Sequence, residues 1–169
     1  MSDFYGDAAT FVEYCDARGY AVDGLASPSP SEEIDQALTR ASEYIDGRYR
    51  ARFPGKRAQG RSQAREWPRI DAVDAAGEVI GEYELPIEVL NATYEAAFRE
   101  LENPGSLLPD YVAAERVQSE RVGQLGVTYA TPVIMKASDA WPVIGTIENI
   151  LAPLIGSEAS GLFGQTTRI

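Results

Sequence analysis

Eight of the chain's 15 basic residues fall between Arg48 and Arg69: Arg48, Arg50, Arg52, Lys56, Arg57, Arg61, Arg65 and Arg69, against one acid, Glu66. Tyr44, Tyr49 and Phe53 are interleaved with the first of them, and Trp67-Pro68-Arg69 closes the stretch. Cations spaced among flat rings suit two kinds of chemistry. Rings can stack single-stranded bases while guanidinium groups hold phosphates; alternatively, the cations can seat an acidic protein surface. The stretch carries +7 (eight basic residues less one acid), while the formal charge of all 169 residues is −11, which leaves −18 on the remainder. A body that negative repels polyanions. The stretch is therefore a single cationic band on an anion-repelling molecule, not the face of a general polyanion binder.

Other chemistry is excluded by what is missing. The sequence has no histidine and one cysteine, Cys15, so a zinc site, a Ser-His-Asp triad or a Cys-His pair cannot be assembled. Cys15 cannot form an internal disulfide, fits a reducing compartment, and reads as a small apolar helix residue. Neither of the glycine-rich phosphate-cradling patterns is present. Asp71, Asp74, Glu78, Glu82 and Glu84 could in principle surround a divalent cation, but their spacing matches no calcium loop and reads as solvated acidic loop. Asn91-Ala92-Thr93 matches a glycosylation signal in mid-helix and carries no weight. No enzymatic activity, metal or cofactor is expected. No apolar run approaches the ~18 residues of a membrane span, and Met1-Ser2-Asp3-Phe4 does not look like a signal peptide. A soluble protein without membrane contact is expected.

The elements that must position the band read as helices with a short β insertion. Asp7 is placed to cap a helix over about Ala8–Arg18, with Phe11, Val12 and Cys15 on one side and Gly19 as its stop. After the Ser/Pro-rich 25–30, Ser31 opens a second helix in which Ile34, Ala37, Leu38, Ala41, Tyr44 and Ile45 recur at helical spacing to Asp46. Arg48 and Arg52 continue on the side of Tyr44, where the helix dipole favours cations by roughly 0.3–1 kcal/mol each. Pro54-Gly55 ends that helix, and the polar residues up to Pro68 read as an exposed loop. Pro86 starts a third helix with Ile87, Val89, Leu90, Tyr94, Ala97, Phe98 and Leu101 on its apolar face. Alternation between Arg116 and Tyr129 about a glycine-bearing turn predicts a β-hairpin. A last helix is expected over Ser138–Leu154, with Trp141, Ile144, Ile147, Ile150, Leu151 and Leu154 inward. The expected fold class is mainly α, a small helical bundle over residues 1–155 with a hairpin near 116–129, followed by an extended, flexible tail at 156–169.

Weighing the band with its surroundings favours protein over nucleic acid. Tyr44 falls on the apolar face of its helix, where it belongs to the core. The segment Asp71–Glu120 holds twelve acids and only Arg99 and Arg116 as bases, so one copy offers an acidic patch to the band of the next. Such heterologous contacts close into rings where the rotation permits. A solvated helix end with no partner is the bland alternative.

The segments Ala41-Ser42-Glu43-Tyr44-Ile45-Asp46-Gly47-Arg48-Tyr49, Phe53-Pro54-Gly55-Lys56-Arg57 and Trp67-Pro68-Arg69 resemble the head–tail connector (adaptor) proteins of tailed bacteriophages, which are also catalogued as DnaT-like single-stranded-DNA-binding proteins. Leu85 to Thr93, Val117 to Gly123 and Ala152-Pro153-Leu154 extend the resemblance over about residues 5–155. It implies a virion protein of the neck, made in the host cytoplasm: a mostly helical subunit in a ring, commonly of twelve copies. That ring stands between the portal protein and a downstream stopper or tail-completion protein, with double-stranded DNA passing through. The resemblance, which ends near Leu154, further implies a C-terminal extension that reaches the portal; in this chain the tail is expected to dock there, with Leu162, Phe163 and Ile169 as its apolar contacts. An acidic subunit suits a conduit, because a negative lumen lets duplex DNA slide. The alternative reading is a single-stranded-DNA-binding module that uses the Arg48–Arg69 band.

Overall fold

The computed structural model describes residues 3–22, 30–108 and 143–156, together with the backbone of strands at 119–122 and 125–128. The fold is mainly α. In chain order the helices are α1 (Ala8–Asp16), α2 (Pro30–Tyr49), α3 (Ile87–Glu102) and α4 (Gly145–Ile155). The strands are β1 (Lys56–Arg57) and β2 (Arg69–Ile70), followed by β3 (Ser119–Val122) and β4 (Leu125–Thr128). β3 and β4 form the antiparallel hairpin that the alternation predicts, with Ser119 opposite Thr128 and Val122 opposite Leu125.

Each helix begins and ends for a visible reason. The Asp7 carboxylate accepts from the Thr10 backbone N–H at 3.0 Å and from the Thr10 hydroxyl at 2.7 Å, which satisfies donors left open in the first turn. α1 stops at Asp16, slightly before the expected Arg18, and Gly19 takes the left-handed φ of +69° that turns the chain away. α2 runs to Tyr49, a few residues short of the expected stop at Pro54-Gly55, and Tyr44, Ile45 and Tyr49 are all buried, so its packing face continues past Gly47. α4 begins at Gly145, later than the expected Ser138, since Ile144 before it is extended. Trp141, assigned inward, lies outside the described residues.

The core lies where α2 packs on α3, with α4 packed on α3 and α1 touching both α2 and α3. The predicted face of α2, from Ile34 to Ile45, is buried throughout, and it meets Val89, Ala92, Ala96 and Ala97 of the core. From α4, Ile147, Leu151 and Leu154 point inward. Ile87 does not follow its predicted face. It is the first residue of α3 and stands exposed. The α1 rings Phe11 and Tyr14 lie 5.8 Å and 5.4 Å from Tyr94 in tilted contacts. Gly6 is required beside them: its φ is +83°, and a Cβ there would overlap the Tyr94 ring and hydroxyl. Cys15 is fully buried, and burial pushes its thiol up to about 11. Among the described residues no helix is long and apolar enough to cross a membrane.

The segment from Phe53 to Pro68 departs from the exposed loop expected of it. Lys56 pairs with Ile70 and Arg57 with Arg69 across a two-stranded antiparallel ribbon, and Phe53, Gln63 and Trp67 are buried. Polar composition misleads here because the interior of this loop is tied by polar groups. Gln63 donates to the carbonyls of Arg65 at 2.8 Å and Pro68 at 3.0 Å, and its own carbonyl accepts from the Gln59 N–H at 3.0 Å. The Trp67–Pro68 peptide is cis. From Asp71 the chain forms an arm whose Ala75 N–H donates to the Pro153 carbonyl of α4 at 3.0 Å before Pro86 starts α3.

Candidate contact surface around the basic stretch

The structure divides the eight cations into two sets. Arg69 is the most deeply buried: its guanidinium donates to the carbonyls of Pro54 at 2.6 Å and Gly55 at 2.8 Å, and to the Glu66 carboxylate at 2.9 Å. That fork closes the turn between α2 and β1. It is the bidentate geometry that a guanidinium provides and an ammonium cannot.

Arg48 and Arg52 face α4. Arg52 donates to the Glu148 carboxylate at 2.8 Å and to the Gly156 carbonyl at 3.2 Å. Arg48 lies 3.7 Å from the other Glu148 oxygen, and the Tyr49 hydroxyl donates to it at 2.9 Å. Burial works to raise the Glu148 carboxyl, but the Arg52 and Tyr49 hydrogen bonds and the two guanidinium charges hold it below the usual carboxylate range. The C-terminal end of α2 thus grips both ends of α4.

Arg65 reaches the N-terminal segment. It donates to the Asp3 carbonyl and lies 3.8 Å from Asp46. Asp46 is the buried junction of three segments: it accepts from the Tyr5 hydroxyl at 2.6 Å and from the Glu66 N–H at 3.3 Å. Burial pushes its carboxyl up to about 6, against the opposing pull of the Tyr5 hydrogen bond and the Arg65 charge.

The second set faces solvent. Arg50 and Lys56 are exposed, with long contacts to Glu66 at 4.0 Å and Asp71 at 3.6 Å. Arg57 is partly exposed and donates to the Gln63 carbonyl at 3.3 Å. Arg61 is exposed beside the short 3-10 turn Gly60–Ser62, with no partner among the described residues. Between this loop, the N-terminal segment and the arm lies a cleft of about 430 Å³, walled by Phe4, Trp67, Pro68, Tyr83 and Leu85. Its polar neighbours Gln63 and Arg65 are already engaged, so the cleft presents mainly apolar surface.

The rings interleaved with the band are packed into the core, and only Trp67 borders the cleft. Tyr44 and Tyr49 are 0% exposed, Trp67 is 2% and Phe53 is 6%. Sequence reasoning missed Asp46 and Glu148, which organise the inward cations, and Tyr83, which is 87% exposed at the cleft rim. Asp46 gave a signal, an acid between the apolar Ile45 and Tyr49 of α2, while Glu148 gave none that spacing could reveal. Leu162, Phe163 and Ile169 lie outside the described residues, as does most of the 156–169 tail. Among the described residues no group of three or more acidic or thiol side chains is placed to hold a metal ion.

The profile of the family described as "Putative DnaT-like ssDNA binding protein" matches residues 2–169. The chain belongs to this family. The match covers nearly all of the protein, the helices, the ribbon loop and the arm included. Its description names single-stranded-DNA binding, which favours that reading of the band over a connector. No curated protein and no solved structure matches the chain.

Proposed function

We propose that this DnaT-like protein is an assembly subunit: the head–tail adaptor of a tailed bacteriophage. In this role it forms a ring between the portal and the next neck protein and gives the packaged genome a passage. The observation that carries the reading is the burial of Tyr44, Tyr49, Phe53 and Trp67. Single-strand binding without sequence preference draws about 1–3 kcal/mol per base from aromatic stacking, and the rings interleaved with these cations are spent on the core. With a net charge of −11, four outward cations suit a protein contact better than a polyanion, and an acidic wall suits a conduit. The proposal includes a homo-oligomeric ring, portal and stopper or tail-completion partners, no cofactor and no catalysis, and residence in the virion neck.

Single-strand binding is the second reading, favoured by the description of the family and by the outward set Arg50, Lys56, Arg57 and Arg61. The test is oligonucleotide affinity as a function of salt, alongside co-assembly with portal. The adaptor predicts negligible oligonucleotide binding at physiological salt and rings or portal complexes by mass. Tight binding that falls with a slope of about −0.7 per phosphate, and that disappears when the four outward cations become alanine, would sink the adaptor in favour of the second reading.

A further inference from the structure

The arm between β2 and α3, with the first residue of α3, leaves apolar side chains in water. On the arm Tyr83 is 87% exposed and Val79 is 83%, and Ile87 at the start of α3 is 58%, while Ala72 and Pro86 are buried and anchor the arm. Three large apolar side chains left in water within nine residues, on a segment anchored at both ends, offer a partner apolar contact area. The arm is also strongly acidic. Residues 71–88 hold six acids, Asp71, Asp74, Glu78, Glu82, Glu84 and Glu88, and no lysine or arginine. Asp74 and Glu84 accept backbone N–H groups of their own turns, from Ala76 and Glu78 at 2.8 Å and from Gly81 at 3.1 Å. Glu78 and Glu82 have no cationic partner among the described residues. Val79 follows Glu78 and Tyr83 lies between Glu82 and Glu84, so exposed apolar and acidic side chains are interleaved, which fits a partner that offers cations beside an apolar recess.

This chain offers such a surface itself. The outward cations Lys56, Arg57 and Arg61 stand on the ribbon loop whose residues Gln59 and Ser62 to Arg65 form one wall of the apolar cleft, and Arg50 follows the end of α2. We propose that the occupant of the arm is a second copy of this chain: Val79, Tyr83 and Ile87 of one copy pack at the cleft border of the next, and Glu78 and Glu82 meet Lys56 and Arg61. The inference rests on the assembly reading above and names the seam. Lys56 reaches Asp71 only through an exposed 3.6 Å pair, an interaction weak enough to yield to an intermolecular one. Complementary charge sets the register and the partner, and the apolar centre supplies contact area.

Charge exchange tests the seam. One variant carries Glu78→Lys with Glu82→Lys, and the other carries Lys56→Glu with Arg61→Glu; all four positions are exposed, so circular dichroism should match the wild type. By sedimentation over a range of concentrations, the wild-type chain self-associates and each variant alone associates about tenfold more weakly or worse. An equimolar mixture of the two variants regains association, and Tyr83→Ala weakens the wild type without changing its helicity. A wild-type chain that associates while the mixture stays dissociated overturns the seam and leaves the assembly reading standing. A wild-type chain that remains monomeric at every concentration, and with portal present, overturns both.

Discussion

Arg69 and Arg61 are the same residue type, eight positions apart in one cationic stretch, yet they do opposite things. Arg69 is folded inward, with its three hydrogen-bonded partners supplied by Pro54, Gly55 and Glu66, while Arg61 stands in solvent. The same division separates Arg48, Arg52 and Arg65 from Arg50, Lys56 and Arg57. The local charge density is alike in both halves. What differs is whether backbone carbonyls and carboxylates converge on the guanidinium, which is a property of the fold. A dense cationic stretch is therefore not a binding surface until its internal obligations have been subtracted.

The largest effect that would sharpen this contrast is expected at Arg69. Arg69→Ala strands two carbonyls and the Glu66 carboxylate in a buried turn and should lower stability by about 3–5 kcal/mol. Arg61→Ala in the same denaturant titration should change it by less than about 0.5 kcal/mol. Equal effects at both positions would erase the distinction. Arg69→Lys should recover only part of the loss, because an ammonium cannot make the fork.

Next comes the pH dependence of the inward half, read at Asp46. Burial raises its carboxyl to about 6, above the ordinary carboxylate range, so the folded state holds this proton more tightly than the unfolded state does. The resulting stability is fully present below the unfolded value and is lost as pH rises through about 6. Measured against Asp46→Asn, wild-type stability should rise as pH falls from above 7 towards 4 and then level off. A difference that is flat across that window would show that Asp46 keeps an ordinary carboxyl.

A smaller effect is expected at Arg52, which is partly exposed. Arg52→Ala should cost about 1–2 kcal/mol and raise proteolytic cleavage near Gly156, where its hydrogen bond to the carbonyl is lost. Smaller again is the stability change on replacing Arg50, Lys56, Arg57 and Arg61 together with alanine, within about 1 kcal/mol. Any loss of assembly in that folded variant would then report contact rather than folding. A cooperative collapse of the variant would break the comparison from the other side.

The helices were legible because their signals are local. Asp7 as a cap, Gly19 as a stop, Pro86 before α3 and the period of Ile34 to Ile45 all act within a turn or two of chain. The hairpin at 119–128 was legible for the same reason. The buried fate of Phe53, Gln63 and Trp67 was not, since it depends on Tyr5, Asp46 and the Asp3 carbonyl arriving from elsewhere in the sequence. Glu148 illustrates the same limit: it is one of 26 acids in the sequence and becomes special only because Arg48 and Tyr49 of α2 and Arg52 just beyond it converge on it. The split of the basic stretch is a tertiary fact, and sequence charge could give only its upper bound.

The sealed thiol of Cys15 has a practical corollary. A side chain with no exposure and a pKa of about 11 offers almost no thiolate to a maleimide at neutral pH. The native sequence is therefore a silent background for site-specific labelling. A cysteine placed at Arg61 or Tyr83 would carry the only reactive sulfur, so paired fluorophores could time the meeting of two copies without first engineering the native thiol away.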